Sequence, residues 1–212
     1  PYTEAARKLG RRLIYFRFAR HQPLVTEGAE VHPLDPAEGF EPFINEIHET
    51  IARAGYGGFY LFDCLTDLAA DWYSDQMLGN FFMLTCPYLY DVEALAYFVL
   101  LRSRHSFHAT SAIAATTQVL LDVYRHGRDL YLHPWKVQAR FSPTMHMLHA
   151  WRDGDFQPVM DSATISEIRT AAGWSQLGSG DRDVGIWNET LRAVEEDLRE
   201  GRTPEQAPAA AD

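Results

Sequence analysis

Gly57-Gly58-Phe59-Tyr60-Leu61-Phe62-Asp63-Cys64-Leu65-Thr66-Asp67-Leu68 is the stretch of sequence that decides the fold. Paired glycines precede a run of aromatic and apolar residues, the run ends at an aspartate, and a helical pattern opens after it. Such a run predicts a buried central strand of a parallel sheet. Open α/β sheets bind their ligands outside the carboxyl ends of these strands. We therefore expect Asp63 to lie at a ligand crevice.

Two interpretations of Asp63 follow from the residues. An acid at the end of a buried strand can hold a magnesium-bound water beside the phosphates of a nucleotide, as the Walker B aspartate does. The same pattern arises when an aspartate caps the N-terminus of the next helix. The pattern leaves both interpretations open.

Composition limits the classes of partner. The chain has 212 residues, of which 46% are hydrophobic, and this is enough for one substantial domain. Nineteen basic and twenty-nine acidic residues give a net charge of −10, which disfavours general binding to nucleic acid or to an anionic membrane. No apolar run approaches the length of a membrane span. We expect neither nucleic acid nor membrane as a partner.

The two cysteines indicate a compartment. Cys64 and Cys86 both lie in apolar surroundings, which favours buried free thiols in a reducing, cytoplasmic protein. The chain begins with Pro1 and not with methionine, and we expect further sequence upstream.

Hydrophobic periodicity predicts a βαβ unit followed by further alternating elements. The predicted strands are 13–19, 59–63 and 94–102, with 29–32 as a further short strand, and the predicted helices are 40–54, 67–84 and 112–124. Gly55 is expected to end the first of these helices, Pro87 to halt the second and Gly127 to end the third.

The second half of the chain changes character. Short runs rich in β-formers over 129–140, 144–151 and 156–159 predict an antiparallel meander that closes one edge of the sheet. We expect one domain over residues 1–172, a C-terminal extension with a charged helix over 173–202, and a disordered tail over 203–212.

Asp67, Asp71 and Asp75 are spaced four apart on the predicted helix 67–84 and are expected to share one face. Such a face is either a solvated acidic surface or a cation site, and the spacing alone favours the former.

A phosphate loop requires a lysine after a glycine-rich turn. The chain has two lysines, Lys8 and Lys136, and neither follows such a turn. Lys136 and Arg140 are four apart on a predicted strand and are expected to share a face. That pair either binds a phosphate or protects a sheet edge by its charge.

The order of elements resembles the RecA-type ATPase core, in particular the branch of the circadian-clock protein KaiC. The matching pieces are the strands 13–19, 59–63 and 94–102, the helices 40–54 and 112–124, and the run 136–142 ahead of the meander. The resemblance implies an α/β fold of the RecA-like three-layer sandwich type, with a mostly parallel central sheet and an antiparallel β meander at one edge.

The resemblance also implies a P-loop ATPase that binds ATP and magnesium between the subunits of a homo-oligomer. Asp63 would be the catalytic acid that contacts magnesium through water. Lys136 and Arg140 would bind the terminal phosphate of a nucleotide held by the neighbouring subunit.

Two departures from the family pattern weaken the expected catalysis. The first strand and the Walker A loop are either upstream or lost. Active relatives carry an acidic pair after the strand that corresponds to 13–19, where this chain has Arg17-Phe18-Ala19-Arg20-His21. Without that base, water activation is not expected even where nucleotide binds.

A second resemblance covers most of the chain. The runs 62–82, 85–90 and 117–124 are similar to the N-terminal RecA-like region of bacterial proteins related to phosphoenolpyruvate synthase and pyruvate, phosphate dikinase. It implies association with pyruvate- and phosphoenolpyruvate-binding domains, as a non-catalytic part of a dikinase-like transferase. We therefore expect an ATP-binding domain that is a weak or inactive ATPase. The alternative is a regulatory or scaffolding module that has lost nucleotide binding.

Overall fold

A computed structural model describes residues 2–25, 27–102 and 104–171 of the chain. The contacts divide the chain into two compact units, the first made of Pro1–Leu120 with Lys136–Gln138 and the second of Leu121–Trp135 with Ala139–Asp212. The predicted extension over 173–202 and the predicted tail over 203–212 lie outside the described residues.

A four-stranded parallel sheet forms the centre of the first unit, in the order β2-β1-β3-β4. Its strands are β1 (Leu13–Arg17), β2 (Glu30–Pro33), β3 (Phe59–Asp63) and β4 (Leu95–Phe98). The prediction for β3 is confirmed in both bounds. Strands β1 and β4 are shorter than the predicted 13–19 and 94–102.

The described residues of this unit form five α-helices: α1 (Tyr2–Lys8), α2 (Phe40–Ala54), α3 (Leu65–Asp71), α4 (Asp75–Asp91) and α5 (Phe107–Thr116). A short 3-10 helix, Pro36–Glu38, precedes α2 and is capped by Asp35. Helix α2 has the predicted bounds, because its buried residues recur at three- and four-residue steps and Gly55 ends it with a positive φ of 76°.

Alternation along the central strands distributes their side chains between the two faces of the sheet. Ile14, Phe16, Tyr60 and Phe62 lie in one cluster with the apolar faces of α2 and α4. Leu13 and Phe59 lie in another cluster with Ala6 of α1. Strands β1 and β3 are therefore covered on both faces, as their sequences predict.

The chain leaves β1 and β3 in opposite directions. From β1 it runs to β2 on one side of the sheet, and from β3 it runs through α3 and α4 to β4 on the other side. Adjacent parallel strands whose connections diverge in this way leave a crevice between them at their carboxyl ends. Asp63 ends β3 at this topological switch point.

The predicted helix 67–84 is wrong, since the chain forms two helices there. Helix α3 ends at Asp71, Tyr73 adopts a positive φ of 51°, and α4 begins at Asp75. Asp75 consequently does not share a helical face with Asp67 and Asp71. Pro87 lies inside α4 and does not stop it, because the burial of Leu89 beyond the proline continues to stabilise the helix.

The predicted helix 112–124 is also wrong. Helix α5 ends at Thr116, and Val119–His126 forms a strand, β5. β-Branched and aromatic residues in this stretch favour the extended backbone. Gly127 has a φ of 61° and lies in the turn between β5 and the next strand.

A second sheet is antiparallel, in the order β5-β6-β7-β8. Its other strands are β6 (Asp129–Val137), β7 (His149–Arg152) and β8 (Asp155–Pro158), and α6 (Ser162–Ala171) follows. The second unit has its own core, formed by Tyr124, Tyr131, Leu148, Ala150, Val159 and Ile168.

The meander was predicted to close one edge of the parallel sheet, and this is wrong, because it forms a sheet of its own. The α/β class, the parallel sheet and the antiparallel meander are confirmed. The RecA-like three-layer arrangement stays a prediction.

The two outer strands of the parallel sheet differ in chemistry. Strand β2 carries Glu30, His32 and Pro33. Strand β4 has the uncharged sequence Leu-Ala-Tyr-Phe, and Leu95 and Tyr97 are 42% and 44% exposed. Within the described residues, β3 is the strand that pairs with β4.

Candidate functional site at the carboxyl edge of the parallel sheet

Asp63 is completely buried, and the segment that follows β1 is arranged around it. Its backbone carbonyl accepts hydrogen bonds from the amides of Phe18 and Ala19, each at 2.9 Å. A buried carboxylate is costly unless its oxygens are paired. Both side-chain oxygens of Asp63 have partners.

Tyr15 occupies one of these oxygens. Its hydroxyl donates to Oδ2 of Asp63 at 2.5 Å, and the Tyr15 side chain is fully buried in β1. Burial and this hydrogen bond raise the pKa of Tyr15 to about 12. The phenol therefore remains a donor at every physiological pH.

His21 occupies the other oxygen. Its Nε2 lies 3.1 Å from Oδ1 of Asp63, and its Nδ1 lies 2.8 Å from the carbonyl oxygen of Gln22. The hydrogen bond to Gln22 and the negative charge of Asp63 raise the pKa of His21. The pair spans the crevice between the segment after β1 and the end of β3.

Arg20 connects the same segment to α3. Its backbone amide donates to Oδ2 of Asp67 at 3.1 Å, and its guanidinium forms an ion pair with Asp71. Both aspartates therefore contact Arg20. The face that they share is neither purely solvated nor free to bind a metal cation.

Thr66 makes a corresponding connection on the other side of β3. Its hydroxyl accepts a hydrogen bond from the amide of Leu101 at 2.9 Å and lies 2.9 Å from Nε2 of His105. The segments after β1, β3 and β4 are thus joined by polar contacts at one edge of the sheet.

The capping interpretation of Asp63 is wrong. The residue at the N-cap position of α3 is Cys64, and it makes no side-chain capping bond. The Asp63 carboxylate instead contacts Tyr15 and His21.

Lys136 lies in the first unit and contacts α5. Its Nζ donates to the carbonyl oxygens of Ala114 and Ala115, each at 2.9 Å, and burial lowers its pKa. Carbonyls in the last turn of a helix have no intrahelical partner, so the ammonium caps this C-terminus.

Arg140 is exposed and lies in no strand. Strand β6 ends at Val137, and Ala139 has a φ of 55°, which diverts the chain from the extended path. The expectation that Lys136 and Arg140 share one strand face is therefore wrong.

No protein-family model matches this chain, and the curated proteins compared with it include no match. Within the described residues, no helix combines the length and the apolarity needed to cross a bilayer.

The arrangement does not fit a directly bound magnesium ion. Magnesium takes six oxygen ligands in near-octahedral geometry. Both Asp63 oxygens are already paired, and among the described residues no three His, Cys, Asp or Glu side chains converge as a metal site.

A groove lies at the opposite ends of the strands, their amino ends. Its lining comes from the start of β1 and the start of β2 and includes Arg11, Arg12 and Glu30. Arg12 pairs with Glu30 at 2.5 Å. This groove is at the amino ends of the strands and is separate from Asp63.

Sequence reasoning predicted the place of Asp63 but missed Tyr15 and His21 as its partners. A buried aspartate needs donors, and the neighbouring parallel strand with the residues just after it is where they can be found. Residues 17–21 end β1 and follow it, so their sequence indicates possible partners of Asp63 in addition to the absence of the acidic pair.

Proposed function

We propose that the first unit is an ATP-binding domain whose ligand lies at the switch point between β1 and β3. The supporting observation is the position of Asp63 at the carboxyl end of β3, beside the strand whose connection leaves in the opposite direction. Ligands of open α/β sheets bind at this place. The RecA- and KaiC-like resemblance supplies the identity of the ligand.

The domain belongs, in this proposal, to a protein related to phosphoenolpyruvate synthase, and it is a weak or inactive ATPase. Residues 17–21, at the end of β1 and directly after it, include Arg17, Arg20 and His21 and no carboxylate that would activate water. Magnesium accompanies ATP in the proposal, but the described arrangement assigns it no ligand.

Arg140 and Lys136 have different expected roles within the proposal. Arg140 is exposed and is the residue that we propose to contact the nucleotide of a neighbouring subunit. Lys136 can do so only if its ammonium leaves the carbonyls at the end of α5. Arg140→Ala is therefore expected to weaken nucleotide binding in an oligomer without altering the fold.

Calorimetric titration of the 212-residue chain with ATP, with and without magnesium, tests the proposal. We expect binding that Asp63→Ala abolishes. Asp91→Ala, which changes an exposed aspartate at the end of α4, is the matched control and should bind as the unaltered chain does.

Circular dichroism establishes that the variants are folded. Unchanged affinity in a folded Asp63→Ala variant would remove Asp63 from the site. Absence of ATP binding both by the unaltered chain and by His21→Ala, with and without magnesium, would contradict the proposal and favour a regulatory or scaffolding module.

A further inference from the structure

His21 closes the site that Asp63 would offer to a ligand. The Asp63 carboxylate is fully buried, whereas the side chain of His21 is 44% exposed. The imidazole Nε2 contacts Oδ1 of Asp63, which is the carboxylate oxygen that does not accept from Tyr15. A donor group arriving from solvent therefore meets His21 before it meets Asp63.

The two partners of Asp63 differ in how easily they can leave. Tyr15 is fully buried within β1, and its hydroxyl also accepts a hydrogen bond from the amide of Leu24 at 3.4 Å. Loss of the contact with Asp63 would leave the hydroxyl hydrogen of Tyr15 without its acceptor in the core, which is costly. His21 lies beyond the end of β1, where its ring can turn into water.

Both ring nitrogens of His21 face acceptors. Nδ1 contacts the carbonyl oxygen of Gln22 and Nε2 contacts the carboxylate. Two acceptors are satisfied together only when both ring nitrogens carry a hydrogen, so this geometry favours the imidazolium, and its pKa is raised accordingly. A ligand that replaces it at Oδ1 must therefore bring a cation or a strong hydrogen-bond donor.

The surrounding contacts do not depend on the His21 ring. The amides of Phe18 and Ala19 still donate to the carbonyl of Asp63, and Arg20 still contacts Asp67 and Asp71. The guanidinium of Arg17 contacts the backbone oxygen of His21 and not its ring. Departure of the ring therefore needs no unfolding of the segment.

We propose that His21 is an autoinhibitory plug, and that a ligand bearing a cation or a hydrogen-bond donor reaches Oδ1 of Asp63 by displacing it. The inference rests on the proposed function, because it concerns the same site.

Calorimetric titration with magnesium-ATP of the unaltered chain and of His21→Ala tests this inference. Because the His21 side chain is 44% exposed, its contact competes only modestly, and removal of the ring is expected to raise the affinity about fivefold. Without ligand, the same variant should melt at a lower temperature, because it has lost the ion pair. A residue with only a structural role would not produce these opposite effects.

Arg20→Ala is the matched control. It loosens the same segment by removing the ion pair with Asp71 but leaves His21 on Asp63. Its affinity for magnesium-ATP should not rise. In the Asp63→Ala background, His21→Ala should likewise produce no gain.

A spectroscopic measurement follows His21 directly. Nitrogen NMR of the unaltered chain should show the His21 ring as an imidazolium without ligand and a changed ring signal after magnesium-ATP is added. An unchanged signal in the bound state would overturn the proposal.

The outcomes separate the two proposals. Binding by the unaltered chain that His21→Ala leaves equal or weakens would overturn the plug and leave the nucleotide site standing. If neither the unaltered chain nor His21→Ala binds magnesium-ATP, both proposals are wrong. Equal gains in His21→Ala and Arg20→Ala would assign the effect to a loosened segment and contradict the plug.

Discussion

Asp63 illustrates how one buried acid organises residues that are distant in sequence. Its carboxylate joins Tyr15 and His21, which lie 48 and 42 positions away along the chain. The contact with the buried Tyr15 hydroxyl contributes about 1.5–3 kcal/mol, and the contact with the 44% exposed His21 contributes less, so together they favour one arrangement of these residues. The crevice is consequently closed by specific bonds and not by loose packing.

The pH dependence of stability should reveal the ion pair between His21 and Asp63. The pKa of His21 is raised above its ordinary value of 6.5 by Gln22 and Asp63. The stabilising contribution of the pair is therefore fully present below pH 6.5 and is lost as the pH rises through the raised pKa. Because the His21 side chain is 44% exposed, solvent screens the pair and we expect a contribution of about 1 kcal/mol or less.

Urea denaturation of the unaltered chain and of His21→Gln across this pH range measures that contribution. The difference between their free energies of unfolding should shrink as the pH rises. Arg20→Gln is the control, because arginine does not titrate there. A difference that stays constant for His21→Gln would contradict the assigned ion pair.

At this scale the sequence predicts the position of Asp63 and not its surroundings. The apolar run ending at Asp63 is a local signal. The contact with His21 depends on which strand lies beside β3, and residue order alone does not reveal the neighbour of a strand. The capping interpretation of Asp63 was wrong because its carboxylate contacts residues of the neighbouring strand segment and not the helix that follows it in sequence.

Two glycines beside or within the elements of the first unit should respond oppositely to substitution. A Cβ at Gly58, just before β3, would lie 2.7 Å from the hydroxyl oxygen and 2.9 Å from Cζ of Tyr60. Tyr60 is fully buried and cannot withdraw easily. Gly58→Ala should therefore lower the free energy of unfolding by about 1–3 kcal/mol.

Gly79 lies inside α4, and a Cβ there would make ordinary contacts with α5, at 3.7 and 4.0 Å. Gly79→Ala should raise the free energy of unfolding by about 0.5–1 kcal/mol, because alanine loses less backbone entropy in a helix. Chemical denaturation measures both variants, and Tyr60→Phe should partly rescue Gly58→Ala. Stabilisation by Gly58→Ala would be incompatible with the described packing of Tyr60.

Element types were predictable where a local period and a terminator agree. Helix α2 has both, in its apolar spacing and Gly55. They disagree at Pro87, where burial of the surrounding helix outweighs the cost of the proline. The apolar residues of 119–126 are compatible with either a helix or a strand. Pairing with the other strands of the second sheet favours the strand.

The two compact units have separate cores, and a substitution in one core should destabilise mainly the unit that contains it. Ile168 is 1% exposed in the second unit, and Ile47 is completely buried in the first. Truncation of either to alanine costs about 2–5 kcal/mol. Regions of a protein can open with different free energies.

Hydrogen exchange measures this expectation by residue. Ile168→Ala should accelerate amide exchange most strongly in β6, β7 and β8, whereas Ile47→Ala should do so in β1 and β3. Uniform acceleration of both sheets by each variant would show that the chain opens as one cooperative unit.

At the scale of the whole molecule, the sequence predicted the α/β class and the change to antiparallel strands. It did not predict that these strands form a second sheet. The sequence pattern of a meander is the same whether its strands extend another sheet or form a sheet of their own. Hydrophobic alternation specifies which side of a strand is buried and not which element covers it.

The uncharged outer strand β4 bears on the handling of the protein. Charged residues and prolines on outer strands prevent other chains from pairing there, and β2 has both while β4 has neither. Aggregation at high concentration, or of incompletely folded copies during expression, is therefore expected to begin at β4. A lysine in place of the exposed Leu95 is the first substitution to consider when soluble yield is low.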